Sequence, residues 1–436
     1  MKIALVFLVL LIILLPVMGM TMTGDGTIKG RLQTFVSYSL SLTSFLLCLL
    51  TIVISIYSLT NDIQQKQIYT VLTKPVRRFE FILGKVLGVI LLNGFLLALF
   101  SAIIYLIIIN IPKFLNATDA QYAQLNNEFF TARAGLLPPD VDVTKEVLDA
   151  YEKLEKNGQL PPGVPRYKVI NLLTNQKKLE KRAAVVGQEL VWEFNDIKQL
   201  DPGQSLFIRF KYDVSVNPPD LQISGRWIIG DTRQYGGKIE TPIYSVNRKD
   251  LIRTFYEMEV PADAIARDGY LAVAFLNDPQ LNNTVVIFPP NDGLEVLYKA
   301  DSFTANFLRA VLLILFRLIF LACLGVLASS FLSFPVAILL CLLILFIGTV
   351  SGFVVESFEY LSENIGGIYS FTVKPLIKLI PQFDKFNPAK FLVPSRLLSW
   401  SLLAEVVGIM VCFKSGLLLL LSLIIFSYRE IAKIVV

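Results

Sequence analysis

Six apolar runs, each close to or above the ~20 helical residues that cross a hydrocarbon core of about 30 Å, limit what this chain can fold into. They cover Ile3–Met20, Phe35–Leu59, Phe81–Ile111, Ala305–Ser330, Phe334–Val355 and roughly Leu402–Phe426. Lipid leaves helices as the economical way to satisfy the backbone, so the expected fold is a polytopic α-helical membrane protein with six spans. Composition agrees: 54% of the 436 residues are hydrophobic and 17% charged, where soluble domains carry about a quarter charged. Lys2 and the first run also fit a secretory signal. The run is longer than a usual signal core and lacks a small-x-small cleavage site, so a retained span is expected.

Flanking Lys and Arg set the expected orientation. Lys66, Lys74, Arg77, Arg78 and Lys85 lie between the second and third runs, and Arg429 and Lys433 follow the last. Both places, and with an even span count both termini, should be cytoplasmic. Residues 374–396 fit less well, with Lys374, Lys378, Lys385, Lys390 and Arg396 on the outer side of this scheme. Pro375, Pro381, Pro388 and Pro394 break that stretch, so short external or re-entrant helices are expected over 356–400.

Residues 112–304 form an insert of mixed polarity placed outside. Its first part, 112–186, reads helical, with amphipathic stretches at Val143–Lys156 and Tyr167–Val186. From 187 to 300 the pattern becomes short β-branched or aromatic runs: Leu190–Phe194, Leu206–Val214, Gly225–Ile229, Thr254–Val260, Tyr270–Leu276, Thr284–Phe288 and Leu294–Tyr298. Turn residues between them imply a β-sandwich of jelly-roll kind. Trp227, Tyr235 and Tyr244 are candidates for a ligand-binding face, or are simply sandwich core. Asp231, Asp278 and Asp292 sit in turns, and no loop with calcium-ligand spacing surrounds them.

Several chemistries are disfavoured. Histidine is absent, which removes the commonest general base and metal ligand. Cys48, Cys323, Cys341 and Cys412 all lie in apolar runs and read as packing residues, so no metal site is expected. A net charge of +5 points to cytoplasmic loop bias and not to nucleic acid. No GxxxxGK[ST] loop occurs, so the chain has no phosphate cradle of its own. Within the spans, Arg317, Glu405 and Lys414 stand out, because an ionisable group there faces protein or a polar cavity. Either they lock helices together or they contact a transported molecule. The first is favoured, and replacing Arg317 is expected to impair assembly or transport.

The most informative stretch is residues 60–88, TNDIQQKQIYTVLTKPVRRFEFILGKVLG. Ile63, Ile68, Val71 and Leu72 share a helical stripe, polar residues oppose them, and Pro75 ends the helix. A short amphipathic helix at 60–76 is expected on the cytoplasmic surface. On composition alone it would equally suit anionic headgroups.

This segment resembles the signature of ABC-2 type permeases, and more closely the NosY-like bacterial branch. The matching positions are Asp62, Ile63, Ile68, Leu72, Thr73, Lys74, Pro75, Val76, Arg78, Gly84 and Lys85, with Asp62 and Gln64 where the family more often has Glu. Leu327–Ala337 resembles the family's turn between spans four and five, and Phe426–Glu430 its ending. The resemblance covers roughly residues 1–111 and 304–436. It implies that 60–76 is a coupling helix seated on a separate cytoplasmic ATPase that binds ATP and magnesium, so that this chain holds no cofactor. It further implies a second permease chain, identical or paralogous, in a bacterial inner membrane, and export without enzymatic activity in this chain. Two features depart from the family. No elbow helix stands before the first run in this sequence, and the large insert is not general. A contrasting expectation is a membrane-anchored sensor or scaffold whose external domain binds a glycan or protein. A membrane enzyme acting on glycans or lipids is disfavoured by the missing histidine.

Overall fold

A computed structural model describes residues 2–65, 77–160, 164–198, 203–234, 241–290, 292–359 and 380–428. The chain divides into two units, residues 1–132 with 302–436, and residues 133–301. In chain order the first helices are α1 (Lys2–Thr21), α2 (Ile28–Gln64), α3 (Arg78–Phe114), α4 (Asp119–Glu128), α5 (Thr144–Lys156) and α6 (Arg166–Lys181). After the strands follow α7 (Phe303–Phe331), α8 (Phe334–Glu359), α9 (Ala389–Leu392) and α10 (Trp400–Val406). A π-helix, Val407–Ser415, then leads into α11 (Gly416–Tyr428).

Among the described residues, five helical runs are long and apolar enough to cross a membrane, not the expected six: α2, α3, α7, Phe334–Val355 of α8, and Trp400–Tyr428. The first run is helical as α1, whose 20 residues are fewer than those of α2, α3, α7 and α8. The unit is that of a polytopic helical protein. α2 and α3 each hold 37 residues, about 55 Å at 1.5 Å per residue, so both overhang a ~30 Å core. Of the expected short helices over 356–400, residues 360–379 lie outside the described residues, and the remainder holds the single-turn α9.

Local chemistry fixes the helix starts. Thr27 caps α2 by accepting from the Gly30 amide at 2.9 Å, and Asp25 steadies Thr27 by accepting from its amide and hydroxyl. Ser302 caps α7 and Ser399 caps α10 in the same way. At α3 the Glu80 carboxylate reaches back to the Arg77 amide at 3.1 Å.

The helical core lies between α2 and α7, whose apolar windows are 67% and 61% buried, against 22% for α8 and for Trp400–Tyr428. Leu47, Ile52 and Ile56 of α2 meet Ile314, Leu318 and Leu321 of α7, while Phe100 and Ile104 of α3 close the cluster. The two helices α2 and α7 approach closely at Gly325. A β-carbon there would stand 1.9 Å from Ser55 Oγ, so the crossing requires a residue without one.

In the second unit the strands are antiparallel in every recorded pairing. One four-stranded sheet runs β1 (Thr131–Leu136), β11 (Leu294–Ser302), β4 (Leu206–Phe210), β8 (Tyr256–Val260). Another runs β3 (Glu189–Phe194), β9 (Leu271–Asn277), β6 (Gln222–Gly230), β7 (Tyr244–Leu251). A small third sheet joins β2 (Ala183–Ala184), β10 (Val286–Ile287) and β5 (Asp213–Val214). A shared core between them contains Trp192, Phe210, Tyr212, Trp227, Phe275 and Phe288. Gly225 makes room for the Phe275 ring, which a β-carbon would meet at 2.0 Å. The expectation of a jelly roll is not met: the strands form open antiparallel sheets around one core, neither a closed barrel nor a jelly roll. α5 coincides closely with the first amphipathic stretch; α6 ends at Lys181, five residues before the expected end at Val186, and strands β1 and β2 lie within the 112–186 part expected to be helical.

Candidate functional site

The overhanging ends of α2 and α3 meet at a clamp. Lys85 Nζ lies 2.5 Å from Asp62 Oδ2 and donates to the Ser58 carbonyl at 3.1 Å, so one ammonium ties the last turns of α2 to the second turn of α3. The same ammonium stands 5.4 Å from the Phe81 ring centroid, within cation–π range. Both charges are only partly exposed, which makes the pair stronger than a freely solvated one. Beneath it, Leu59 of α2, Ile82 and Val86 of α3, Cys323 and Val326 of α7 and Phe426 of α11 form a separate apolar cluster, with Ile63 and Phe81 against it. Phe81 and Phe426 stack at 6.0 Å, and Arg78 Nη1 donates to the Ser427 carbonyl at 2.6 Å. Four helices are therefore fastened where the chain enters and leaves residues 66–76.

Of the signature positions, Asp62, Ile63, Arg78 and Lys85 come together in this corner. Gly84 faces outward on α3, with nothing that a β-carbon would meet. Ile68, Leu72, Thr73, Lys74, Pro75 and Val76 lie outside the described residues.

A second polar locus lies within the spans. Arg317 of α7 donates from Nη1 to Ser44 Oγ of α2 at 3.2 Å, and from Nη2 to the Phe383 carbonyl at 2.8 Å. Its guanidinium sits 5.0 Å from the Phe383 ring centroid. It also borders a cavity of about 460 Å³, walled by Leu40, Phe45, Leu49, Leu342, Leu345 and Phe346, with Ser41, Thr349 and Asn387 as small polar groups. Glu405 and Lys414 border a smaller cavity of about 240 Å³ with Gln382 and Lys385. Lys414 is carried by the π-helix, whose wider turn re-aims side chains after residue 406.

Sequence reasoning missed three partners here. Phe383 and Asp384 come from a loop with no periodic signal, and Asp384 accepts from Ser351 Oγ at 3.2 Å. Arg309, one helical face away from Arg317, is buried, donates to the Leu398 carbonyl and stands 4.8 Å from the Trp400 ring. Its signal was a second arginine two turns from the first. Of the cysteines, Cys48, Cys323 and Cys341 are buried packing residues, whereas Cys412 is exposed on the π-helix.

Of the aromatic candidates of the second unit, Trp227 and Tyr244 are among the described residues. Trp227 is 1% exposed and packs on Phe210, Phe275 and Phe288, so it is core. Tyr244 donates its hydroxyl to Asp263 at 2.8 Å, which raises its pKa, and Tyr235 lies outside the described residues. Asp231 and Asp268 both grip Arg233. Hydrogen bonds from that guanidinium hold Asp231 down at about 2 and Asp268 below the usual carboxylate range. Asp292 pairs with Lys211, and Asp278 accepts from the Gln280 amide in a turn. Among the described residues no group of three or more His, Cys, Asp or Glu converges as a metal ion would need.

Compared with protein-family models, with curated proteins and with solved structures, the chain finds no match.

Proposed function

We propose that this chain is the membrane-spanning subunit of an ATP-driven exporter of the ABC-2 kind, with residues 60–76 seated on a separate cytoplasmic ATPase. The observation that carries this is the clamp at Lys85. A coupling element must hand displacement to the spans without bending at its roots, and here both roots are fixed. Asp62 and Ser58 hold Lys85 on the incoming side, while Arg78 and Phe81 grip the end of α11 on the outgoing side. A push on 66–76 then reaches α2, α3, α7 and α11 together, as rigid-body rocking between two states requires. The Lys and Arg of this segment favour the cytoplasmic side, where ATP is. A second copy or a paralogue would complete the path.

The structure-based role of Asp62 differs from that of the segment beyond it. Asp62 is occupied by Lys85, so it braces the element, and contact with the ATPase falls to residues such as Lys74 and Pro75. The test is to purify the tagged chain from native membranes in mild detergent and identify stoichiometric partners by mass spectrometry. A soluble protein with a phosphate-binding loop is expected, lost with Lys74→Glu and retained with Lys85→Met. Absence of any such protein after crosslinking would overturn the proposal.

A further inference from the structure

The cavity beside Arg317 is a built site that the coupling role does not use. Its walls are apolar and its volume, about 460 Å³, falls within the roughly 300–1,000 Å³ of small-molecule sites. Phe45 of α2 and Phe346 of α8 form part of the wall while remaining 56% and 68% exposed on the outer surface of the helices. The cavity thus opens sideways between α2 and α8, the direction in which lipid lies around a spanning bundle.

Arg317 is the one cation among the residues that line it. An arginine at such depth is costly, and it usually pairs with an opposite charge or with backbone carbonyls. Arg317 has a hydroxyl, a backbone carbonyl and the face of the Phe383 ring. Asp384, the acidic residue whose charge attracts it, is turned to Ser351, and among the described residues no carboxylate forms an ion pair with Arg317. Planar guanidinium donors facing an apolar chamber match one chemistry: a hydrocarbon chain ending in an oxyanion.

We propose that the α2–α7–α8 cavity binds an anionic amphiphile from the bilayer, its chain against Leu342, Leu345 and Phe346 and its carboxylate or phosphate on Arg317. Ser41, Ser44 and Thr349 stand close enough to the chamber to offer further hydrogen bonds to the headgroup. The site stands independently of the ATPase, because binding is a property of this chain alone.

The full chain, purified in a neutral detergent, would be titrated with cis-parinarate and read by its fluorescence. Saturable binding is expected, with parinaryl alcohol at least about thirtyfold weaker, the factor lost when a buried charged contact is left without its partner. Oleate or phosphatidic acid should compete and diacylglycerol should not; whichever competes better identifies the headgroup as carboxylate or phosphate. Thr349→Trp, which fills the chamber from an exposed position on α8, should abolish binding without disturbing the elution profile. Arg317→Gln should bring acid and alcohol to equal affinity. Should that variant not fold, the comparison of acid with alcohol on the native chain decides alone. Equal affinity for acid and alcohol, or binding unchanged in Thr349→Trp, would overturn the proposal.

Discussion

Two cations in the helical unit sit in opposite circumstances. Lys85 is matched by a carboxylate and a carbonyl and lies over an apolar cluster that joins four helices. Arg317 is matched by a hydroxyl, a carbonyl and an aromatic ring, with no carboxylate ion pair among the described residues, and borders an open chamber. A neutralised charge with filled surroundings resists displacement, so the first place suits transmission of force. A charge short of its counter-ion beside empty space invites a ligand, so the second suits binding. α2 and α7 serve both, since Leu59 and Ser44 lie on one helix and Cys323 and Arg317 on the other.

The comparison breaks most severely at the crossing that both places share. Gly325→Leu would force α2 and α7 apart against Ser55 and should cost about 3 kcal/mol or more. The expected outcome is loss of folded protein in a detergent-stability assay, and Gly325→Ala should be partly rescued by Ser55→Gly. Lys85→Met comes next. It strands the Asp62 carboxylate and should lower stability by about 1–3 kcal/mol, with Asp62→Asn in the same chain restoring much of it in a double-mutant cycle. Arg317→Leu should behave differently, shifting thermal stability by less than about 1 kcal/mol, because relief of an uncompensated charge offsets the lost hydrogen bonds. A drop as large as that of Lys85→Met would mean Arg317 is a lock and not a binding group.

The smallest effect lies in the second unit, at a pair of carboxylates that are matched in the manner of Asp62. Asp231 and Asp268 are both depressed by Arg233, from an ordinary value of 3.8, Asp231 to about 2. Their contribution to stability is therefore complete above about pH 4 and is lost as pH falls towards 2. Arg233→Ala should lower the stability of this unit at pH 6 only slightly, given the exposure of the arginine. The gap between variant and parent should close on acidification to pH 2, followed by fluorescence of the buried Trp192 and Trp227.

How much of this was legible in the sequence follows from the physics of each part. The spans were visible because lipid demands long uninterrupted apolar runs, yet the continuity of α2 to Gln64 was not, since residues 60–64 turn polar and read as the start of a separate amphipathic helix. The first run reads as apolar as the rest and differs mainly in length. Strand β7, with sequence YSVNRKDL, escaped notice because as the edge of its sheet it buries little and its alternation is polar. Trp227 could be core or surface by composition, and its position in the middle of β6, opposite Phe275 of β9, makes it core. In the corner, Asp62 and Lys85 were picked out by motif, but their pairing depends on how two long helices align. The partner of Arg317 could not be found at all, because a backbone carbonyl at Phe383 carries no signature.

The most direct test of the coupling role places a photoreactive amino acid at position 70, within the 60–76 segment, and irradiates intact membranes. One adduct to a soluble nucleotide-binding protein, changing in yield when ATP is supplied, is the predicted result. Adducts to lipid alone would contradict it and leave the segment as a headgroup-binding helix.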